Sequence, residues 1–593
     1  MSKQPDGNEP WRKLLTAVNR WFDPTQALKG GDEFSLKYPV QPGPAEPDLT
    51  VMTRIEVEPD TPLKRLKVRA GAAADQVSKV LEQVQSDLTD DVALTLGRVK
   101  DALNADMSAD VIVRPVTLQF VQPLQAYVVY IDGAANGQVV EEAILEPLLL
   151  LARGSVTARG TDLLHLVESH LVSNRQTEPV HQLRTIVEGV VSGQVALLLE
   201  SAPGALLMEA RNWPSRAVDK PITENVVKGP HEAFTENIRT NSALLRHRLM
   251  TPDLVFEPGQ IGRRSRSYVY LAYIRGLANA DLLAEVRRRL AAIDIDTLTD
   301  NGMLEQYLEG HQKTFFPTLG TTERPDRAAA SISEGRVAIL LDGSPYVLLV
   351  PWLFGDFFHN PEDYYIRPPF GTALRIVRIT GAMITLLLPG LYIAIANYHH
   401  EMIPPSLLLA IAATREAVPF PAPLEVVMME LAFEIIREGS IRIPSVLGQT
   451  VGIVGALILG QAAVQAAIVS PILVIIVALT ALGSFTIPNY EMGLVIRVLR
   501  FGFIFLATTF GLYGVAVGLL LISGHASAMR SFGVPFMAPL GPRLPGSPDT
   551  IIRGPLPAMG RRPGTVRPAD RRRQAQGVTA GLPGKFSQEE ASE

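Results

Sequence analysis

Residues 443–490, IPSVLGQTVGIVGALILGQAAVQAAIVSPILVIIVALTALGSFTIPNY, run for 48 positions without Asp, Glu, Lys, Arg or His. A helix needs about 20 apolar residues to cross a hydrocarbon core of roughly 30 Å, so this stretch is long enough for two crossings. Pro471 lies near its middle, and proline is tolerated at the first turn of a helix but not in its interior. The stretch therefore predicts a membrane hairpin whose second helix begins at Pro471.

Two further stretches, residues 379–398 and 501–523, are free of charge and long enough to span. Together with the hairpin they predict an all-α polytopic membrane domain over residues 366–523. Its predicted spans are 379–398, 446–468, 471–488 and 501–523. Arginines before the first span and in the C-terminal tail favour a cytoplasmic position for both ends of this domain. The opposing signal is a group of arginines that then falls on the outer side, Arg437, Arg442, Arg497 and Arg500.

Residues 403–437 leave the number of crossings open. This segment has apolar runs, but Arg415, Glu416 and the sequence PFPAP interrupt them. A charge at the bilayer centre costs roughly 2.5–3.5 kcal/mol even on a lenient insertion scale, which disfavours a simple lipid-facing helix. The segment is therefore predicted to be interfacial, re-entrant or a fifth span.

The composition of the whole chain excludes only a few classes of protein. Its 593 residues carry a formal net charge of −5 and include no cysteine. The small net charge points to no particular partner, while the lack of cysteine excludes a disulfide framework and thiolate metal sites. The first residues, MSKQPDGNEPWRKLL, lack the apolar core of a secretory signal. We therefore expect the N-terminal region to be cytoplasmic.

The first 365 residues carry charge throughout and predict a different kind of structure. Residues 1–75, rich in proline, glycine and charge, predict a disordered extension. Beyond them, short apolar or β-branched runs typical of strands alternate with segments of helical spacing. The runs predicted to be strands are VIVRPVTLQF, AYVVYID, QVALLLE, ALLMEA, YVYLAYI, RVAILLD and YVLLVP. We predict two cytoplasmic α/β subdomains, residues 76–225, which include a helical lead-in, and residues 226–365. The Pro- and Arg-rich tail, residues 524–593, is predicted to be disordered.

A row of small residues recurs every four positions inside the uncharged stretch: Gly448, Gly452, Ala456 and Gly460. Small side chains at this spacing let two helix backbones approach closely in a membrane. The row predicts helix packing, either within the chain against residues 472–482 or between subunits.

Three acidic residues, Glu430, Glu434 and Glu438, lie at i, i+4 and i+8, so a helix would place them in one stripe. In a ring of subunits such a stripe forms stacked carboxylate rings, as in cation-selective pores. The alternative is a solvated face of an interfacial helix, paired with Arg437 or Arg442.

Two amides, Gln461 and Gln465, lie at i and i+4 within an uncharged span. Buried amides need hydrogen-bond partners, so these side chains are candidates to bridge helices or to line a polar path.

A basic helix is predicted within residues 231–249, where Arg239, Arg246, His247 and Arg248 cluster. A charge run of this kind is usually a solvated face, and the alternative is a surface for an anion or an acidic partner.

No catalytic, cofactor or metal site is expected. The chain has no GxxxxGK, GxGxxG, GxSxG or HExxH motif. His399, His400 and Glu401 are adjacent, so their side chains diverge, and no further ligand set accompanies them. We expect a protein that is not an enzyme and that binds no cofactor or nucleic acid.

Five blocks of sequence resemble the A subunit of GerA-family spore germination receptors. Two lie in the membrane domain and three outside its spans. The blocks are YHHEMIPPSLLLAIAATREAVPFPAPLEVVMMELAFEIIREGSIRIP (398–444), GQTVGIVGALILGQAAVQAAIVSP (448–471), VVKGPHEAFTENIRTNSALLRHRL (226–249), TERPDRAAASISEGRVAILLDGSP (322–345) and RSFGVPFMAPLGP (530–542). The resemblance covers residues 110 to 542 in register. It departs from the family at Ser192-Gly193, where members often carry a Gly-Asp pair.

The resemblance implies a membrane receptor subunit of the spore inner membrane that acts when nutrients trigger germination. It implies a permease-like B subunit and a lipoprotein C subunit as partners, and a ring-shaped homo-oligomer that conducts ions. One rival is a channel subunit without nutrient sensing, similar to stage V sporulation protein AF. Another is a secondary transporter, which commonly has internal repeats and more spans than this chain displays.

Overall fold

The computed structural model describes residues 88, 91–120, 123–150, 161–168, 177–212, 221, 224, 226–310, 314–442, 460–542 and 549–574. The predicted extension 1–75 lies outside these residues, as do Gly448, Gly452, Ala456 and most of the predicted span 446–468.

The first α/β unit, called the first repeat (residues 91–212), is built on a five-stranded antiparallel sheet. Its strands are β1 (Val111–Leu118), β2 (Leu124–Ile131), β3 (Thr177–Val180), β4 (Val195–Leu199) and β5 (Ala205–Met208), in the order β1-β2-β4-β5-β3. Helices Val92–Leu103 and Leu183–Val191 pack on one face, and the helical turns between β2 and β3 pack on the other. Because β4 and β5 are covered on both faces, they are apolar without alternation.

The second α/β unit, called the second repeat (residues 238–350), has the same construction. Its strands are β6 (Leu254–Ile261), β7 (Ser267–Ile274), β8 (Gly320–Thr322), β9 (Val337–Leu341) and β10 (Val347–Val350), in the order β6-β7-β9-β10-β8. Its helices are Ile238–Arg248, Ala280–Ala291, Asn301–Leu308 and Pro325–Ser333. Strand for strand, the two sheets have equivalent order.

The duplication is visible in the sequence once the strands are aligned. Residues 127–136, YVVYIDGAAN, match residues 270–279, YLAYIRGLAN, and SGQVALLLE (192–200) matches EGRVAILLD (334–342). Gly133 and Gly276 occupy equivalent turns with φ of +79° and +75°, a region that favours glycine. The absence of internal repeats assumed in the sequence analysis is therefore wrong for the soluble part. Transporter repeats relate membrane helices, so this duplication does not favour a transporter.

The helical region begins at the stem helix (Pro368–Tyr398) and continues with Pro405–Arg415, the acidic helix (Ala422–Arg442), Pro471–Phe485 and Tyr490–Ala528. Among the described residues, two helices are long and apolar enough to cross a membrane, Pro368–Tyr398 and Tyr490–Ala528. The predicted span 379–398 lies within the stem helix. The α/β region of two subdomains followed by a helical region is therefore confirmed as the order of the fold.

Residues 490–528, called the terminal hairpin, reverse direction at Gly511, which has φ +60° and ψ −141°. A Cβ added at Gly514 would collide with Leu506 O, and one at Gly518 would lie 2.9 Å from the Phe503 ring. In a continuous helix Phe503 and Gly518 would be about 22 Å apart along the axis. The predicted span 501–523 is therefore not one continuous helix but parts of two antiparallel arms, 490–510 and 512–528.

The second repeat and the helical region share one hydrophobic core. Phe256, Leu340 and Leu349 from the sheet lie in the same buried cluster as Ile496 and Ala526 from the terminal hairpin. The strand pair β11 (Arg530–Ser531) and β12 (Val534–Pro535) follows the hairpin, and the Ser531 hydroxyl donates to Thr318 O at 2.6 Å.

Residues 549–574, called the C-terminal segment, are folded against the second repeat. Arg562 Nε donates to Ser333 O at 2.8 Å, and Ala569 N donates to Leu277 O at 2.9 Å. Val566 is fully buried. The prediction of a disordered tail is therefore wrong for these residues. Their hydrogen bonds to the second repeat and the burial of Val566 cannot be inferred from composition.

Candidate functional site at the junction of the two regions

A buried ion network joins the short helix Glu362–Tyr365, which follows the second repeat, to the stem helix and the C-terminal segment. Arg378 Nη1 lies 2.8 Å from both carboxylate oxygens of Asp363, and Arg375 Nη1 donates to Asp549 Oδ1 at 2.7 Å. Asp363 and Arg375 are fully buried. Breaking a buried pair is strongly destabilising because it leaves one charge without compensation. The network therefore fixes how the stem helix leaves the soluble region.

A second pair extends this network toward the sheet. Arg336 Nη1 donates to Asp356 Oδ2 at 2.7 Å. Burial alone would raise the pKa of Asp356, but the charge and hydrogen bond of Arg336 outweigh it, so this pKa lies below its ordinary value. Burial lowers the pKa of His359, and the nearby Arg375 lowers it further. Asp356 is therefore ionised at neutral pH, and the pKa shift of His359 favours its neutral form.

A cavity of about 410 Å³ lies between these groups and the helices. Arg375, Arg336 and Asp549 line it on the soluble side, and Ile379 and Met383 line it further along the stem helix. Its volume lies within the range of small-molecule pockets, about 300–1,000 Å³.

A pair of carboxyl groups forms another contact between the regions. Glu305 of the second repeat is hydrogen bonded to Glu491, in the first turn of the terminal hairpin. Burial, followed by the charge of Glu491, raises the pKa of Glu305 to about 9. The two groups share a proton at neutral pH, because two ionised carboxylates in hydrogen-bond contact would repel each other.

The predicted acidic stripe lies on the acidic helix and meets arginines of the terminal hairpin. Glu430 lies 2.9 Å from Arg500, and both side chains are at least 98% buried. Glu434 lies 2.8 Å from Arg497 and 2.9 Å from Arg500. Glu438 is exposed. Glu430 and Glu434 are therefore neutralised by arginines of the terminal hairpin.

The sequence analysis named Arg437 and Arg442 as partners of the stripe and missed Arg497 and Arg500. Arg437 does lie 3.7 Å from Glu434, at the edge of the cluster. The missed signal was that Arg497 and Arg500, at i and i+3 in an apolar helix, share one helix face, as Glu430 and Glu434 do at i and i+4. These arginines also opposed the predicted orientation because they were counted as loop charges.

The two predicted amides, Gln461 and Gln465, are exposed on the surface of the helical region. Gly460 is buried, and a Cβ there would lie 3.5 Å from Val474 Cγ1. At this position the small-residue row packs within the chain, against helix Pro471–Phe485.

The basic helix is used mainly for contacts within the chain. Arg246 is 1% exposed and donates to Asp110 Oδ2 at 2.7 Å, which ties the second repeat to the first. Arg248 donates to Glu232 at 2.5 Å. The expectation of a solvated face is therefore wrong for Arg246, because its partner lies 136 residues away in the chain.

Other candidates from the sequence have structural positions. Gly193 has φ +95° in the turn before β4, and the Ser192 hydroxyl donates to Gly189 O at 2.8 Å. His399 lies at the end of the stem helix, beside Gly511. Within the described part of the chain, no group of three or more His, Cys, Asp or Glu is arranged to hold a metal ion.

A family model described as Bacillus/Clostridium GerA spore germination protein matches residues 98–565. Spore germination protein KA of Bacillus subtilis (strain 168) is 38% identical over 474 residues, which cover 79% of this chain and 85% of that protein. Spore germination protein B1 of the same organism is 38% identical over 454 residues, 76% of this chain and 92% of that protein.

Further similarities extend this group. Spore germination protein GerLA of Bacillus cereus is 39% identical over 395 residues, 65% of this chain and 80% of that protein. The crystal structure of the N-terminal domain of the A subunit of the Bacillus megaterium spore germinant receptor GerK3 is 29% identical, with a TM-score of 0.37, and covers 46% of this chain and 98% of that one.

Proposed function

The chain belongs to the GerA family of spore germination proteins, and from that premise we propose that it is the A subunit of a nutrient germinant receptor in the spore inner membrane. The observation that carries the proposal is the identity of 34–40% to germination proteins along most of the chain. Its partners are a permease-like B subunit and a lipoprotein C subunit. The N-terminal region lies in the cytoplasm.

Both ends of the helical region lie on the cytoplasmic side of the membrane in this proposal. The stem helix leads away from the second repeat, and the two arms of the terminal hairpin lead out and back, since Gly511 lies beside Tyr398. The acidic helix and Pro471–Phe485 both run toward the second repeat, because Arg437 Nη2 donates to Ser484 Oγ and Gly483 abuts Gly381. An even number of crossings leaves both ends on one side, as the arginine pattern favours.

Cysteine labelling tests this topology in a chain with no natural cysteine. Glu401→Cys, at the far end of the stem helix, should react with an impermeant maleimide added from outside. Asn360→Cys, at the near end, should react only after the membrane is opened. Equal reactivity of the two positions in intact membranes would contradict the topology.

The assembled receptor subunits form a ring that conducts ions in this proposal. Exposed polar side chains on an apolar helical surface are costly in lipid unless they meet another subunit, water or ions. Glu438, Gln461 and Gln465 have this character, whereas Glu430 is enclosed by Arg500. Glu438 is therefore the member of the predicted stripe best placed to face an ion path.

The function is tested in spores that carry altered copies of the gene. Deletion should abolish the response to one class of nutrient. A chain that begins at about residue 365 should insert but give no response, because the junction is removed. A retained response in the shortened chain would reduce the soluble part to an attachment.

Ion passage has a separate test. Glu438→Gln should slow potassium release on nutrient addition at an unchanged protein level, because it removes an exposed charge without breaking an ion pair of the Glu430–Arg500 cluster. Glu188→Gln, an exposed change in the first repeat, is the matched control. Release at the wild-type rate in Glu438→Gln would contradict the pore assignment.

A further inference from the structure

The cavity at the junction extends from a charged surface to an apolar one. Arg375 lines it at its soluble side, and Ile379, Met383 and Leu386 follow on the same helix. Leu386 lies eleven positions after Arg375 on this helix, a distance of about 16 Å along the axis. Ile496 and Ile522, from the two arms of the terminal hairpin, complete the apolar part. The cavity therefore changes from polar to apolar in the direction that leads into the helical region.

Two residues that line this cavity, Arg375 and Trp352, each have a buried hydrogen-bond donor without an acceptor in the described part of the chain. Among the described residues, neither Arg375 Nη2 nor Trp352 Nε1 has a hydrogen-bond partner. Arg375 is fully buried and Trp352 is 4% exposed. A buried donor without an acceptor costs about 1–3 kcal/mol, more when it is charged. Both atoms therefore favour a ligand that brings an acceptor oxygen.

The carboxylates around the cavity are already paired. Asp549 accepts from Arg375, and Asp356 accepts from Arg336. Glu334 lies 3.8 Å from Arg573, and Asp326 lies 2.8 Å from Arg324. Each of the four carboxylates that line the cavity therefore has an arginine partner, and an incoming anion meets no unpaired carboxylate among them. The remaining donor capacity points to an anionic head group rather than a cationic one.

We propose that this cavity binds an amphiphile with an anionic head group and one acyl chain. The head group accepts hydrogen bonds from Arg375 Nη2 and Trp352 Nε1, and the chain lies against Ile379, Met383 and Leu386. A volume of about 410 Å³ is at the lower end of ligand pockets, which suits one chain rather than two. Because the ligand contacts the second repeat, the stem helix and both arms of the hairpin, its binding couples the soluble and helical regions whether or not the assembly conducts ions.

Photocrosslinking of the full-length protein in phosphatidylcholine nanodiscs tests the site. The probe is a palmitate analogue with a diazirine in its chain, and labelled peptides are mapped by mass spectrometry. We expect saturable labelling within residues 375–386 and 492–499 that unlabelled palmitate competes away. Labelling that does not saturate, or that spreads evenly over the apolar helices, would overturn the proposal.

Two substitutions that fill the cavity come from different helices, so that a folding defect in one does not end the test. Met383→Trp and Ile522→Trp should each weaken saturable labelling about tenfold, because they take the apolar space of the chain. The matched control is Val377→Trp, on the same helix but 55% exposed and outside the cavity lining. Wild-type labelling in both cavity variants would refute the site.

The head group is tested by changing the protein and the ligand separately. Trp352→Phe keeps the ring and removes one donor, so palmitate should compete about tenfold less well while methyl palmitate is unaffected. Hexadecyltrimethylammonium should not compete with palmitate in the wild-type protein. Equal competition by the anion, the ester and the cation would leave only apolar binding and would overturn the anionic assignment.

Native mass spectrometry of protein purified from its own membrane distinguishes two kinds of ligand that have an anionic head group and one acyl chain. A bound free fatty acid and a bound single-chain phospholipid differ in mass, and either supports the proposal. Retention of two-chain lipid only, at the mapped peptides, would contradict it.

Discussion

The two α/β repeats have the same strand order, but they differ in what covers them. In the first repeat both faces of the sheet are closed by helices of the repeat itself. In the second repeat, one face closes over its own helices and β11–β12, while the other merges with the stem helix and the terminal hairpin. One fold thus serves once as a self-contained unit and once as the base of the helical region.

The difference lies in a few positions rather than in the fold. Gly193 and Gly335 occupy equivalent turns with φ of +95° and +94°. A Cβ at Gly193 would meet Ala134 O within the first repeat, whereas one at Gly335 would meet Pro568 of the C-terminal segment. Equivalent sites therefore face the interior of one repeat and a docking surface of the other.

The largest effect is expected from the buried network that only the second repeat contacts. Asp363→Ala leaves Arg375 and Arg378 without their shared carboxylate and should cost about 3–5 kcal/mol of unfolding free energy. Thermal unfolding of the full-length protein in detergent measures it. Glu188→Ala, which removes an exposed pair with Arg184 in the first repeat, should leave the melting temperature almost unchanged. Similar melting temperatures for the two variants would contradict the difference between the repeats.

An intermediate effect is expected at the equivalent glycines. Gly193→Ala and Gly335→Ala should each cost about 1–3 kcal/mol, because both force an alanine into a left-handed backbone conformation. Only Gly335→Ala also displaces the C-terminal segment, so limited trypsin digestion should cut after Arg561 faster in that variant alone. Equal cleavage of the segment in both variants would show that this docking is not specific to the second repeat.

A pH dependence of stability is expected at the Glu305–Glu491 contact. The pKa of Glu305 is about 9 in the folded protein, against its ordinary value of 4.5. The folded state therefore keeps a proton that the unfolded state loses, and the contribution of Glu305 to stability is complete below pH 4.5 and falls until about pH 9. Glu305→Gln should reduce the loss of melting temperature between pH 5 and 9. Glu188→Gln should leave that slope unchanged, and an unchanged slope in Glu305→Gln would refute the shared proton.

Local sequence patterns predicted the strands that are apolar throughout or clearly alternate. The runs QVALLLE and RVAILLD correspond to β4 and β9 because both are buried on two faces. The strands β3, β6 and β8 were not predicted. β3 and β8 are short edge strands, and β6 contains Pro258 and Gly259, which are disfavoured in strands. These three strands form because they hydrogen bond to adjacent strands, and their own residues do not favour strand structure.

The candidate site was harder to predict than the fold. Asp363, Arg375 and Asp549 carry no motif, and Arg375 and Asp549 are 174 residues apart in the chain. The stripe of Glu430 and Glu434 was found by its spacing, but its cationic partners lie more than 60 residues further along. Spacing identifies residues on one helix face and contains no information about the helix that faces it.

The sequence by itself determined the division into a charged α/β region and an apolar helical region, and it determined family membership. Both depend on the order and chemistry of residues that are close together in the sequence, so they can be recognised within a single segment. Only the tertiary structure decided the reversal at Gly511, the pairing of Glu430 with Arg500, the docking of residues 549–574 and the cavity beside Arg375. Each of these depends on buried contacts between distant segments, whose free energy exists only after the chain has brought them together.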